Sequence, residues 1–288
     1  MIKNLKIFKN IMPNYGEKKY WEERYESQKG KTFDWLEDYK SLNPIIKSLG
    51  IKKDAFILNV GCGNSEFSEK MYNDGFINNY NIDICQNVIN YMKERNKDKK
   101  GLHYQEMDVR DMKDFNDETF DLIIDKSTLD ALLCGEKSFV NVVLMTKEIS
   151  RILKTGGIYF IISYGRPEYR LFHLQRRHLA FDIKVIEIKE KNGNEDTTHF
   201  GYICTKLPEA KNNINKLNIV FKEMGMDMSN NDDNDNSKNN TFNKTSNKKN
   251  SNKNINNIIN NKTNSDTKNK KGKKGRSISM NTKNKKKK

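Results

Sequence analysis

Short apolar runs alternate with amphipathic stretches between residues 56 and 206. Residues 56–60 form an apolar run interrupted only by Asn59, which predicts a buried strand. Residues 65–73 follow with helical spacing; Ser65 stands as N-cap, with Glu66 and Glu69 near the positive end of the helix dipole. Residues 79–83 predict a short second strand, and residues 86–97 a helix that places Val88, Ile89 and Met92 on one face. Residues 103–107 alternate as a third strand ending at Asp108, and residues 120–125 predict a buried fourth strand. A helix over 139–153 turns Val143, Ile149, Ile152 and Leu153 inward, Gly156-Gly157 stops it, and 158–163 form the next strand. Five strand–helix repeats predict a parallel, doubly wound sheet with right-handed crossovers. The end differs: 182–190 and 197–206 are strand-like and split by Lys191-Asn192-Gly193-Asn194-Glu195, a hairpin signal. The fold class is therefore α/β: a Rossmann-like sheet of seven strands, mostly parallel, with a C-terminal antiparallel hairpin and helices on both faces.

Chemistry enters at Gly61-Cys62-Gly63-Asn64-Ser65, where the first strand runs into a glycine turn, and at Asp83, which ends the second strand 22 residues after Gly61. Glycines let the backbone turn sharply and approach a ligand with no Cβ in the way. A carboxylate at Asp83 accepts hydrogen bonds from ribose hydroxyls. A dinucleotide site asks for a third glycine beside a pyrophosphate, but Glu66 stands there and Glu69 lies one turn on. Carboxylates would repel a pyrophosphate, so an adenosine ligand without phosphate, S-adenosylmethionine, fits better. The plain alternative is a turn that only closes a strand–helix junction.

In open α/β sheets ligands bind outside the carboxyl ends of the strands, and those ends here are Gly61, Asp83, Asp108 and Asp125. Asp108 and Val109 are expected at the adenine edge, the carboxylate accepting from the exocyclic amine and the Val109 N–H serving a ring nitrogen. Ile84 covers one adenine face. Taken singly, each aspartate is equally a helix cap or a turn residue. After the fourth strand, residues 125–132 face the reacting group; Asp125 and Asp130 are candidates to orient a substrate, and no general base is assigned. The same stretch is also a capped helix start, with Ser127 or Thr128 as N-cap. Upstream, Tyr20-Trp21-Glu22-Glu23-Arg24-Tyr25 and Phe33-Asp34-Trp35 hold both tryptophans of the chain. Such aromatics suit a helical lid over a cofactor, with Arg24 pairing with its carboxylate; a helix simply packed on the sheet would show the same pattern.

Charge divides the chain. It carries 53 Lys+Arg against 38 Asp+Glu, a net of +15. Residues 229–288 hold 17 basic and 4 acidic residues, so the remainder is nearly neutral. That tail is Asn/Lys-rich and shows no apolar periodicity apart from a brief group at Ile255, Ile258 and Ile259; it is expected to be disordered. Its basic runs suit weak attraction to nucleic acid or the ribosome, or have no defined role. Cys62, Cys85, Cys134 and Cys204 form no C-x-x-C pair and only 4 His are present, so neither a disulfide framework nor a metal site is readable. A reducing cytoplasm and no membrane span are expected. Ile2, Leu5, Ile7, Phe8 and Ile11 make the N-terminus weakly amphipathic. The expected division is a helical lid segment at 1–50, a catalytic domain at 51–208, a connector at 209–228 and the tail at 229–288.

Tyr-Trp-x-x-Arg-Tyr, Asp-Trp, Gly-Cys-Gly-Asn-Ser, Met-Asp-Val-Arg and Lys-x-Thr-Leu-Asp-Ala-Leu together resemble one branch of the class I methyltransferases. That branch contains the lysine methyltransferases of eukaryotic elongation factor 1 alpha, including an enzyme related to endothelin-converting enzyme 2. The resemblance covers roughly residues 15–206. It implies cofactor contacts at Trp21, Tyr25, Trp35, Gly61, Asp83, Ile84, Asp108, Val109 and Lys126, with Arg24 and Gly63 as further contacts. It implies a monomeric protein-lysine N-methyltransferase acting on that factor. RNA or a small molecule is the alternative acceptor, and a non-enzymatic binding module is a further reading that the intact Gly61, Gly63 and Asp83 oppose. Ser127 stands where the branch usually has Gly, Asp125 where it often has Glu, and Asn59 where wider methyltransferases have an acidic residue.

Overall fold

The computed structural model describes residues 13–176, 178–189 and 198–210. The N-terminal apolar group before residue 13, the turn at 191–195 and everything from 211 onward, the basic tail included, lie outside the described residues. The elements are α1 (Lys18–Ser27), α2 (Tyr39–Ser48), β1 (Phe56–Val60), α3 (Phe67–Asn73), β2 (Asn78–Asp83), α4 (Gln86–Arg95), β3 (Leu102–Glu106), β4 (Phe120–Lys126), α5 (Thr128–Leu133), α6 (Ser138–Ile152), β5 (Leu153–Ser163), α7 (Pro167–Leu174), β6 (Phe181–Lys189) and β7 (Thr198–Lys206). They build one seven-stranded sheet in the order β3-β2-β1-β4-β5-β7-β6. The strands from β3 to β5 are parallel, and β7 runs antiparallel between β5 and β6.

The central strands read as apolar runs because both faces are covered. On one face Leu58, Ile123 and Tyr159 pack with Met145, Ile149 and Ile152 of α6 and Leu174 of α7. On the other, Ile57, Leu122, Ile124 and Phe160 pack with Leu42 and Ile46 of α2 and Phe67 and Met71 of α3. Burying each such side chain is worth about 1.5–3 kcal/mol. The edge strand β6 alternates exposed and part-buried positions, as a strand with one solvated face should.

Two expectations change. The predicted five strand–helix repeats are four, because no helix separates β3 from β4 among the described residues. Gly156-Gly157 does not stop α6. That helix ends at Ile152, and β5 runs through the glycines. Phe120 pairs with Leu153 but Leu122 pairs with Ile158, so residues 154–157 bulge out of the ladder, with Gly156 at φ +78°. A bulge of this kind needs a residue free to adopt positive φ.

Candidate functional site

A cavity of about 630 Å³ opens at the carboxyl ends of β1, β2, β3 and β4, between the sheet and the N-terminal segment. Its floor is the turn after β1. Gly61 and Gly63 sit at φ +60° and +52°. A Cβ on Gly61 would lie 2.1 Å from Thr128 Oγ1, and one on Gly63 would lie 2.9 Å from the Tyr25 hydroxyl. Glycine is therefore required twice over, for the backbone conformation and for the space. Thr128 Oγ1 uses that space to donate to the Val60 carbonyl at 2.9 Å.

Asp83 lies beside the turn and is 5% exposed. Its Oδ2 accepts from the Gly63 N–H and its Oδ1 from the Cys85 N–H, both at 3.0 Å. Burial raises its pKa against the lowering effect of these backbone donors. Each oxygen keeps a lone pair for a second donor. Ile84 and Val109 also line the cavity. Asp108 is there too, but its carboxylate is held by Arg110 through Nε and Nη2, the shortest contact being 2.6 Å. Burial works against the charge on Asp108, yet the Arg110 hydrogen bonds hold its carboxyl below the usual range. At that end of the cavity it presents a neutralised pair instead of a bare anion.

The roof is aromatic. Trp21 stacks on Tyr25 with centroids 5.9 Å apart and meets Trp35 edge-on at 5.8 Å; all three line the cavity. Tyr15 accepts the Trp21 indole N–H on its carbonyl at 2.7 Å. Helix α1 has no fully buried residue of its own; its Trp21 and Tyr25 pack against the cluster of Cys85, Val88 and Ile89, and polar clips add to this, Lys18–Glu106 at 2.9 Å and Asn87 Nδ2 to the Glu22 carbonyl at 3.0 Å. Arg24 is not in the cavity wall. Its guanidinium lies over Phe33 and Trp35, 5.4 and 5.0 Å from the ring centroids, and braces the roof from behind.

Lys126, at the end of β4, lines the cavity, but its amine is engaged: it donates to Asp34 Oδ1 at 3.2 Å and to the Trp35 carbonyl at 3.0 Å. Ser65 Oγ donates to the same Asp34 oxygen. Burial lowers the Lys126 pKa, opposed by Asp34. The loop carrying Trp35 is thus strapped to the ends of β1 and β4. Ser65 also accepts from the Phe67 N–H at 3.0 Å, one residue ahead of the N-cap position, which Glu66 and not Ser65 occupies without a side-chain cap bond.

Of the two candidate orienting carboxylates, Asp125 is fully buried and outside the cavity wall. It accepts from Thr128 N at 2.7 Å, from Leu129 N and from the Tyr159 hydroxyl at 2.7 Å. Ser127 does hold the N-cap position of α5 but makes no side-chain cap bond, and the Asp125 carboxylate takes the first amides of the helix. Ser127 takes φ +71°, the backbone state that a glycine adopts freely. Burial pushes the Asp125 pKa up to about 7. Asp130 does line the cavity, yet it is committed to Arg170 Nη2 at 2.8 Å, Ser163 Oγ at 2.5 Å and Tyr164 N at 3.0 Å. Neither is free to act on a substrate.

Phe33 lines the cavity with the lid aromatics, and Tyr15, Arg110, Tyr164 and Arg170 also line it without having been proposed as contacts from the sequence. Arg110 had a signal, two residues after a strand-end aspartate. Arg170 had none: it reaches Ser163 only because Gly165 has no Cβ, which would sit 2.1 Å from its Cζ. No group of three or more His, Cys, Asp or Glu able to hold a metal ion occurs among the described residues, and none of their helices is long and apolar enough to cross a membrane.

The family model described as a methyltransferase domain matches residues 51–205. The bovine "eEF1A lysine and N-terminal methyltransferase" is 38% identical over 164 residues, covering 54% of this chain and 23% of that protein. The mouse "EEF1A lysine methyltransferase 4" is 31% identical over 179 residues, covering 59% of this chain and 69% of that protein. The chain thus spans about a quarter of the length of the first group of relatives and about two thirds of the mouse enzyme. A solved structure described as "Conversion of a Disulfide Bond into a Thioacetal Group during Echinomycin Biosynthesis" superposes with TM-score 0.52 at 14% identity, covering 72% of this chain and 99% of the other, and shares the fold.

Proposed function

The chain belongs to the methyltransferase-domain family, and on that premise we propose that it transfers a methyl group from S-adenosylmethionine to a lysine side chain of translation elongation factor 1 alpha. The cofactor half of this reading is carried by one observation: a buried carboxylate, Asp83, set against two positive-φ glycines under an aromatic roof. The residues fit the group. Asp83 has free lone pairs for the ribose hydroxyls. Val109 and Ile84 offer apolar contact to the adenine, and the neutralised Asp108–Arg110 pair borders its edge. Glu66 stands at the position a dinucleotide site keeps for glycine, where a pyrophosphate needs close backbone approach, and is paired with Arg95 at 2.6 Å. The substrate half rests on the relatives, whose names give lysines of that elongation factor as their targets.

When bound, S-adenosylmethionine supplies an electrophilic methyl on a sulfonium. The protein's task is then to position and to exclude water. Trp21, Tyr25 and Trp35 close the roof. The acceptor amine must be neutral, and its unperturbed pKa is about 10.4. An apolar mouth favours the uncharged form by withholding water. With Asp125 buried and Asp130 paired to Arg170, the lysine proton is released to solvent and not to a protein base. A monomer in the cytoplasm completes the reading.

RNA is the second reading, favoured by the basic 229–288 tail. The experiment is to incubate the full chain with radiolabelled S-adenosylmethionine and recombinant elongation factor 1 alpha, beside Asp83→Ala. Label on a lysine of the factor, lost in the variant, is expected. Cofactor binding without such label, or label on RNA that disappears when 229–288 is deleted, overturns the substrate assignment.

A further inference from the structure

Glu37 and His199 form a buried pair that the proposed chemistry leaves unused. His199 Nδ1 lies 2.8 Å from Glu37 Oε1, at 3% and 6% side-chain exposure. Ser41 Oγ donates to the other Glu37 oxygen, so the carboxyl group is held from both sides. Glu37 belongs to the strapped loop, its N–H donating to the Trp35 carbonyl at 2.7 Å, and His199 is the second residue of β7. The contact fixes the imidazole plane whichever partner carries the hydrogen. Tyr164 packs against it, the two rings meeting at 87° with centroids 4.9 Å apart. The Tyr164 backbone is pinned as well. Its N–H donates to Asp130 Oδ2 at 3.0 Å, and the Tyr202 hydroxyl donates to the next carbonyl, that of Gly165, at 2.5 Å. A buried pair costs desolvation that its own attraction barely offsets, and here it holds an exposed ring still. Tyr164 is 57% exposed and lines the cavity. A right-angled pair occupies at most one face of each ring, so Tyr164 offers an open face at the cavity mouth.

The sheet order places that face. Asp108 and Val109 follow β3, Asp83 ends β2 and Gly61 follows β1, so adenosine takes that half of the cavity. Next in the sheet come β4 and then β5, and Tyr164 follows β5. The acceptor therefore approaches on the Tyr164 side. The charged groups there are already paired, Asp130 with Arg170 and Lys126 with Asp34. An aromatic face attracts an alkylated ammonium, most strongly when that cation has lost its water. Resting on the lysine acceptor of the proposed function, we infer that the Tyr164 face holds the methylated ammonium and favours repeated transfer, so that Tyr164 sets the degree of methylation. His199 and Glu37 are positioning residues that hold its ring. In each round the lysine nitrogen bonds the methyl carbon and the C–S electron pair stays on sulfur. The mono- or dimethylammonium so formed releases one proton to solvent before the next round, and S-adenosylhomocysteine exchanges for fresh cofactor while the lysine stays.

The full chain, Tyr164→Phe, Tyr164→Leu, His199→Ala and Glu37→Gln are each given S-adenosylmethionine and recombinant elongation factor 1 alpha. Mass spectrometry reads mono-, di- and trimethyllysine at equal total transfer, and calorimetry with S-adenosylhomocysteine shows that each variant is folded. Tyr164→Phe should match the unaltered chain. Tyr164→Leu should raise the ratio of monomethyl to higher products by about 3-fold or more at the same S-adenosylhomocysteine affinity. His199→Ala should shift the ratio the same way. Glu37→Gln, which can still bond His199 through oxygen or nitrogen, should not. A second readout needs no turnover: each protein, loaded with S-adenosylhomocysteine, is titrated with trimethyllysine amide and with its uncharged tert-butyl isostere, and preference for the cation should be lost in Tyr164→Leu. An unchanged product ratio or cation preference in Tyr164→Leu overturns the inference. So does a shift shared by Tyr164→Phe or matched by an equal loss of S-adenosylhomocysteine affinity, or monomethyllysine alone from the unaltered chain. An unaltered chain that labels no lysine of the factor overturns the acceptor reading, a result distinct from these, and the titration still tests the ring.

Discussion

Asp125→Asn should remove a pH dependence from folding while leaving the cavity intact. Asp125 is fully buried, accepts from Thr128 N, Leu129 N and the Tyr159 hydroxyl, and has its pKa raised to about 7, chiefly by burial. The unfolded chain has an ordinary carboxyl near pKa 3.9. Between these values the folded state holds a proton that the unfolded state has released, so stability falls as pH rises from about 4 to about 7 and is flat above. Each pH unit is worth about 1.4 kcal/mol, so the window from pH 5 to 7 carries roughly 2–3 kcal/mol. Asparagine reproduces the protonated acid: its oxygen can accept from the α5 amides and its NH₂ can donate to Tyr159. Urea unfolding of both proteins from pH 5 to 8 reads the difference directly. The variant should gain roughly 2–3 kcal/mol on the wild type between pH 5 and 7 and then hold that margin. Parallel stability curves would mean that Asp125 is ionised in the native protein, and the argument from burial would be wrong. Methyl transfer by the variant should remain within about 10-fold, a barrier change of about 1.4 kcal/mol, since Asp125 does not reach the cavity.

Gly61→Ala should cost about 1–3 kcal/mol in unfolding free energy and abolish cofactor binding, because a Cβ there meets Thr128 Oγ1 at 2.1 Å. Thermal melts with and without ligand check it, and a variant that still binds would sink it. Lys126→Met frees Asp34 and the Trp35 carbonyl; intrinsic tryptophan fluorescence should red-shift, and cofactor affinity should fall about 10-fold, a loss of about 1.4 kcal/mol. Unaltered fluorescence would show that the strap does not set the roof. Asp130→Ala leaves the Arg170 guanidinium without its carboxylate partner at 12–13% side-chain exposure. The expected cost is about 3–5 kcal/mol of stability, and the double variant with Arg170→Leu should recover much of it in the same unfolding assay.

The strand runs, the hairpin and the glycine turn were legible because each is written in local pattern: apolar continuity for strands buried on both faces, and Gly-x-Gly where the chain must take positive φ twice. Asp83 was legible because its place follows from where β2 ends. Asp125 misled because a strand-end aspartate looks the same whether it faces a ligand or caps the next helix. Arg24, read as a cofactor contact, points at the backs of Phe33 and Trp35, a choice made by packing between segments about ten residues apart. Gly156-Gly157 has the pattern of a helix stop and is a strand bulge, since only its pairing with β4 shows where the ladder resumes.

The sequence by itself therefore determined the α/β class, the order of most elements and the glycine turn after β1, because these depend on residues near one another in the chain. The partners of each charge and of each buried amide were decided only in three dimensions. Lys126 pairs with Asp34, Asp130 with Arg170, and Asn59 with Asn79 and Asn81. Such pairings span 20 to 92 positions, and no periodicity along a chain encodes which distant side chain will neutralise a charge. That is settled when parallel strands bring their carboxyl ends to one edge and the α1 and Trp35 segments fold over it.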